Sequence, residues 1–139
     1  MTTSDRAEVE ILQHDIFDAI FSLLILKGYT DLSLRKRYDE ACVAVYKRVN
    51  DICVSSNTTC GFYIVQHPLH GDSQTARDSL REWHINGAMY LRVPVDGSYV
   101  FGLDSALAEK RLNGCIERTG FSKEVFEELT RLFLNIYNS

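Results

Sequence analysis

The sequence predicts an α+β fold with about five helices, a β-hairpin and one further short strand. Three observations lead to this prediction. Apolar residues recur at helical spacing in several long segments. Asp96 and Gly97 separate two runs of strand-forming residues, and the Asp-Gly pair suits the tight turn of a hairpin. A third strand-forming run, at residues 62–65, lies between turn residues.

Length and composition predict one globular domain that spans residues 1–139. Hydrophobic residues make up 45% of the chain and charged residues 24%, which is typical of a folded protein. The net charge of -4 excludes a uniformly basic nucleic-acid-binding surface but permits a local basic patch. The longest apolar run, residues 19–26, is too short to cross a bilayer. We therefore expect no membrane span. Residues 1–10 contain three acids and one arginine, which is not the charge pattern of a leader peptide, so a cytoplasmic location is expected.

Two long helices are predicted in the first half of the chain. The first covers residues 5–27, with Gly28 available to end it. Its apolar residues occupy more than one side, so it is either a central helix or an oligomer contact. The second covers residues 34–54 and is amphipathic. The chain has four cysteines, none of which forms a CxxC pair, and they are Cys42, Cys53, Cys60 and Cys115. All four are expected to be reduced core thiols in helices or at helix edges.

A buried strand and a third helix follow. The strand covers residues 61–66, and the helix begins at residue 72 or 73 and runs to about residue 85, where Gly87 closes it. Trp83 is expected to face inward with Ala76 and Leu80, which leaves an outward polar face. The members of that face are Gln74, Arg77, Asp78 and Arg81.

The hairpin is predicted to pair residues 90–95 with residues 98–103. A two-residue turn at Asp96 and Gly97 would pair Val93 with Val100, and Pro94 favours an edge position for the first strand. One face then belongs to the core. The opposite face is aromatic around one guanidinium and contains Tyr90, Arg92, Tyr99, Phe101 and Leu103.

Two further helices are predicted at the carboxyl end. A short one covers residues 105–112 and stops at Asn113 and Gly114, and the last begins at Ser122. The first and last helices carry a surplus of apolar residues for a small domain. Self-association through these terminal helices is therefore expected.

One segment has a family-like pattern: residues 75–101 read TARDSLREWHINGAMYLRVPVDGSYVF. This run of helix, glycine, apolar strand, tight turn and returning strand resembles the recognition helix and wing of winged-helix DNA-binding regulators. The resemblance implies a DNA partner, with one set of residues facing the groove of the duplex and Arg92 with Ser98 near its phosphates. The groove-facing set is Gln74, Thr75, Arg77, Asp78 and Arg81.

A loop between strand and helix contains the only candidate catalytic or metal-binding cluster. His67, His70 and Asp72 could together hold a divalent metal, although turn and capping roles are the commoner use of such residues. Cys60, upstream, could serve as a thiol nucleophile. The chain contains no GxGxxG, GxxxxGK[ST], HExxH or GxSxG motif.

The sequence therefore favours a binding or regulatory role over catalysis, and no cofactor is expected. The first hypothesis is a winged-helix-like transcriptional regulator or adaptor that acts as a homo-oligomer. The second is a small inhibitor or adaptor that docks on another protein through the aromatic hairpin face, with Tyr99 and Phe101 in contact with the partner. The third is a metal- or thiol-dependent enzyme at the loop that carries His67 and His70.

Overall fold

The α+β class is confirmed. A computed structural model describes residues 10–11, 13–33, 36–56, 59–60, 81–83, 86–87, 89–93 and 98–139. Their helices and strands, in chain order, are β1 (Glu10–Ile11), α1 (Gln13–Leu26), β2 (Asp31–Ser33), α2 (Tyr38–Ser55), β3 (Thr59–Cys60), β4 (Met89–Val93), β5 (Ser98–Phe101), α3 (Ser105–Thr119) and α4 (Lys123–Tyr137). Residues 81–83 are also helical. The predicted strand at residues 61–66 lies outside the described residues.

Helix α1 ends as predicted but begins later. Gly28 adopts a left-handed conformation with φ of 97°, and the Tyr29 N–H donates to the Leu24 carbonyl at 2.9 Å. Such a turn suits glycine because it has no Cβ to clash. The prediction that this helix begins at residue 5 and covers residues 10 and 11 is wrong, because these two residues form β1, which pairs in parallel with β3. The same pairing places Cys60 in a strand, not at a helix edge.

Strand β2, at residues 31–33, lies directly before the segment in which the sequence predicted the second helix. That helix, α2, begins at Tyr38 instead of residue 34. Leu32, the middle residue of β2, is buried, while its two neighbours are half-buried. A three-residue strand is too short to show alternation in the sequence, and its formation depends on a partner strand from residues 98–101.

The predicted hairpin forms, with a different register. Val100 pairs with Tyr90 instead of Val93, and an irregularity falls between Leu91 and Val93. Because Val93 pairs with Ser98, four residues connect the strands where two were predicted. The partner of Val100 thus moves by three residues, and a shift by an odd number of residues exchanges the two faces of a strand. Within the described sheet the order is β2-β5-β4, so β4 lies at an edge, as Pro94 predicted.

Helix α3 continues through the predicted stop at Asn113 and Gly114. It ends at Thr119, where Gly120 takes a left-handed conformation with φ of 79°. The continuation is favoured by packing, because Leu112 and Cys115 on either side of the predicted stop are both buried. The following helix is capped as predicted: the Ser122 hydroxyl accepts the Val125 N–H at 3.2 Å.

Helix α1 is central in the described structure. It packs against α3 and α4, while α2 packs against α4. Its apolar residues on both sides are buried within the chain, and they are Ile16, Phe17, Ala19, Ile20, Phe21, Leu23 and Leu24. Of the two explanations offered for its apolar character, intramolecular packing therefore suffices. None of the described helices combines the length and apolar character needed to cross a membrane.

Three cysteines are free and buried, as predicted. Cys42 and Cys53 lie on α2, and Cys115 lies on α3. Burial raises the pKa of the Cys42 thiol well above its usual range and that of Cys115 to about 12. Thiols of this kind are poor nucleophiles because the reactive form is the thiolate. These three cysteines are therefore packing residues.

Candidate functional site

The predicted recognition helix is oriented as the sequence predicted at the residues described. Arg81 is exposed, and Trp83, two residues later, is only 1% exposed. The Asn86 N–H donates to the Glu82 carbonyl, and Gly87 follows with φ of 78°, which matches the predicted end of the helix. The predicted contact residues Gln74, Thr75, Arg77 and Asp78 lie outside the described residues.

Trp83 fixes this helical stretch to the core. Its Nε1 donates a hydrogen bond to Oδ1 of Asp18 on α1. Its ring meets Phe21 edge-on with centroids 5.0 Å apart, and lies 6.2 Å from the ring of Phe101 on β5. Aromatic pairs at these separations and angles are attractive beyond the area they bury. One side chain thus joins the helical residues 81–83 to α1 and to the sheet.

Two carboxylates on α1 face two arginines on α3. Asp15 and Asp18 are three residues apart, and Arg111 and Arg118 are seven apart, so each pair shares one face of its helix. Arg118 Nε donates to Asp15 Oδ1 at 2.7 Å. Arg111 Nη1 lies 3.8 Å from Asp18 Oδ2, and its guanidinium carbon is 5.1 Å from the centre of the Trp83 ring.

The pKa of Asp18 is raised above its ordinary value. The main cause is desolvation by burial, which disfavours the charged carboxylate. The hydrogen bond from Trp83 and the charge of Arg111 act in the opposite direction, and the nearby charge of Glu82 adds to the increase. Asp18 therefore lies between the Trp83 indole, which donates a hydrogen bond to it, and the Arg111 guanidinium, at a site with little solvent access.

A cavity of about 520 Å³ opens beside this network. Its lining joins α1, α3 and a residue just after β5, and consists of Asp18, Leu103, Leu107, Lys110, Arg111, Gly114 and Arg118. Three cations and one carboxylate face an apolar wall formed by two leucines. Asp15, which is 3% exposed, lies behind Arg118 and does not line the cavity.

The aromatic face of the hairpin is partly covered. Tyr99 and Phe101 are half-buried and pack against the core together with Leu103. The Phe101 ring also lies 6.2 Å from that of Phe21. The hypothesis of docking through this face requires it to be exposed, whereas both rings already pack against the core of the same chain. Arg92 lies in β4, at the edge of the described sheet.

The predicted loop cluster of His67, His70 and Asp72 lies outside the described residues. Cys60, the proposed nucleophile, is placed in β3 beside β1. Within the described part of the chain, no group of three or more His, Cys, Asp or Glu side chains is arranged to hold a metal ion.

The network of Asp15, Asp18, Arg111 and Arg118 was not predicted as a site. A signal was present, because two acids three residues apart interrupt an otherwise apolar helix face, and such acids require cationic or hydrogen-bonding partners when buried. The identity of those partners depends on the packing of α3 against α1. Comparisons with models of protein families, with curated proteins and with solved structures yield no match for this chain.

Proposed function

We propose that this chain is a non-enzymatic binding domain of winged-helix-like design that recognises DNA through the outward face of the helix that contains Arg81 and Trp83 and through the adjoining hairpin. The observation that carries the proposal is the orientation of that helix. Trp83 is buried against α1 and β5 while Arg81 points to solvent. A rigidly anchored helix with an exposed cation is suited to contacts with a phosphate backbone.

The hairpin assigned to DNA binding is joined to the rest of the described sheet and to the helical residues 81–83. Here β2 follows α1 and pairs antiparallel with β5, the returning strand of the hairpin. The helical residues 81–83 precede the hairpin in the chain, and Trp83 contacts β5 through Phe101.

Charge sets the kind of binding to expect. The net charge is -4, so attraction to a polyanion must come from local cations. We assign this role to Arg77, Arg81 and Arg92, with further contacts from Gln74 and Thr75. Each phosphate contact releases counterions, so affinity should fall steeply as salt is raised.

Fluorescence anisotropy with a labelled random-sequence duplex tests this proposal across a salt series. Arg81→Ala should weaken binding and reduce the slope of log K against log salt by about one unit for each phosphate that Arg81 binds. Arg131→Ala is the matched control, because Arg131 is an exposed arginine on α4 and its removal changes the net charge equally. Absence of DNA binding at low salt, or equal weakening in both variants, would refute the proposal.

Self-association through the terminal helices stays a prediction. Packing within the chain accounts for the apolar surplus of α1, which was the strongest argument for it. Light scattering coupled to size-exclusion chromatography measures the mass directly. A winged-helix regulator that reads a palindromic site requires a dimer, whereas an adaptor can act as a monomer.

A further inference from the structure

The cavity between α1 and α3 has the features of a small-molecule site. Its volume of about 520 Å³ lies within the usual range for small-molecule sites. Such sites combine an apolar wall with a few polar groups that orient the ligand. Both components are present here, and the proposed DNA contacts use neither of them.

We propose that this cavity binds a small organic anion, a carboxylate or phosphate monoester that carries an apolar group. Lys110, Arg111 and Arg118 would hold the charged head, and Leu103 with Leu107 would contact the apolar part. None of the lining residues is among the proposed DNA contacts, and the anion site does not depend on DNA binding.

The cationic wall retains donors for a ligand. Arg118 donates to Asp15 through Nε, and its side chain is 54% exposed. The N–H groups on its two terminal nitrogens are therefore in reach of a ligand. One terminal nitrogen, Nη2, lies 3.6 Å from the Cys115 sulfur, a weak acceptor. Lys110 is exposed and has no hydrogen-bonding partner among the described residues.

The balance of charge also favours an anion. The lining carries three cations against the single carboxylate of Asp18. Asp18 is itself engaged by the Trp83 indole, and its side chain is only 15% exposed. Asp15, which accepts from Arg118, and Glu82, whose charge acts on Asp18, both lie outside the lining. Guanidinium groups bind carboxylates and phosphates with paired hydrogen bonds, which gives the head group a defined orientation.

The apolar wall explains why an organic anion fits better than an inorganic one. Leu107 is 48% exposed, one of the few large apolar side chains in the described residues that solvent reaches to this extent. Leu103 is half-buried beside it and also packs against the core. Covering such a side chain with an alkyl or aryl group removes apolar surface from water, which stabilises the complex.

Trp83 provides an internal reporter. It is the only tryptophan in the chain, and it contacts Arg111, which lines the cavity. An anion that attracts the Arg111 guanidinium changes the electrostatic field at the indole ring. Binding at this site should therefore alter the tryptophan emission, whereas binding at a distant surface should leave it unchanged.

The experiment is a titration of the intact chain with octanoate, followed by calorimetry for affinity and by Trp83 fluorescence for location. Octan-1-ol supplies the same chain without charge, and inorganic phosphate supplies charge without the chain. We expect saturable heat and a saturable emission change with octanoate, and markedly weaker binding of the other two. Absence of saturable heat with octanoate, equal affinity for octan-1-ol or for phosphate, or saturable heat without an emission change would each overturn the proposal.

Variants test the assigned residues. Lys110→Gln should weaken octanoate binding about tenfold, the size expected for one charge-assisted hydrogen bond, and Lys47→Gln, an exposed lysine on α2, should not. Leu107→Ala should weaken octanoate binding without changing that of phosphate. Because Lys110 and Leu107 are solvent-exposed, both variants should fold. Unchanged octanoate affinity in Lys110→Gln would overturn the proposal even if DNA binding is confirmed, and failure of DNA binding alone would leave it intact.

Discussion

Replacing Trp83 with phenylalanine removes the hydrogen bond that anchors the helical residues 81–83 to α1. The substitution keeps an aromatic ring next to Phe21 and Phe101 but removes the Nε1 donor to Asp18. A hydrogen bond to a charged group contributes about 1.5–3 kcal/mol. The smaller ring leaves a void that costs about 1 kcal/mol more. We expect the free energy of unfolding to fall by about 2.5–4 kcal/mol.

Urea unfolding followed by far-ultraviolet circular dichroism measures this decrease without relying on tryptophan emission. A double-mutant cycle with Asp18→Ala separates the hydrogen bond from the change in ring size, and the two substitutions should couple by at least about 1 kcal/mol. A decrease below about 1 kcal/mol, or additive effects in the double mutant, would refute the view that the Asp18 hydrogen bond holds this segment in place.

Three other substitutions or treatments test separate parts of the structure. Tyr137→Phe removes the hydroxyl that accepts the Ser33 N–H at 2.6 Å, so it should cost about 1 kcal/mol in urea unfolding; an unchanged value would contradict the link between β2 and α4. Burial raises the pKa of Asp18, so the folded state keeps the proton of this carboxyl to higher pH than the unfolded state does. The contribution of Asp18 to the free energy of unfolding therefore declines as pH rises from 3.8 through the raised pKa. The free energy of unfolding of Asp18→Asn minus that of the wild type should therefore increase over that range, and a constant difference would show that the carboxyl is not desolvated. Cys115, with a pKa of about 12, should resist a thiol reagent at about pH 8 in the native protein and react when denatured; peptide mapping that finds equal labelling in both states would contradict its burial.

The sequence was sufficient where a local signal set the structure. Gly28 and Gly87 end their helices because a left-handed conformation suits glycine, and Ser122 caps α4 through its own hydroxyl. The inward position of Trp83 and the outward position of Arg81 followed from helical spacing alone. The hairpin itself followed from the Asp-Gly pair between two strand-forming runs.

Local signals failed where distant segments compete with them. Asn113 and Gly114 form a typical helix end, yet α3 continues because Leu112 and Cys115 are buried on either side of them. The hairpin register differs from the two-residue-turn prediction, and neither the pairing of β2 with β5 nor the irregularity near Leu91 has a signature in the sequence. The register of a hairpin is set by its hydrophobic pattern and by the length of its connection, which here is four residues.

The sequence by itself determined the α+β class, the approximate helices and the orientation of Arg81 and Trp83, because each follows from spacing or from the conformational preference of single residues. Only the tertiary structure decided that α1 is a central helix, and that its two acids meet Arg111 and Arg118 beside a cavity. The physical reason is that a buried charge must find a partner, while the partner's identity depends on which helix packs against it. Asp15 and Asp18 lie on an apolar helix, and the packing of α3 against it supplied their partners.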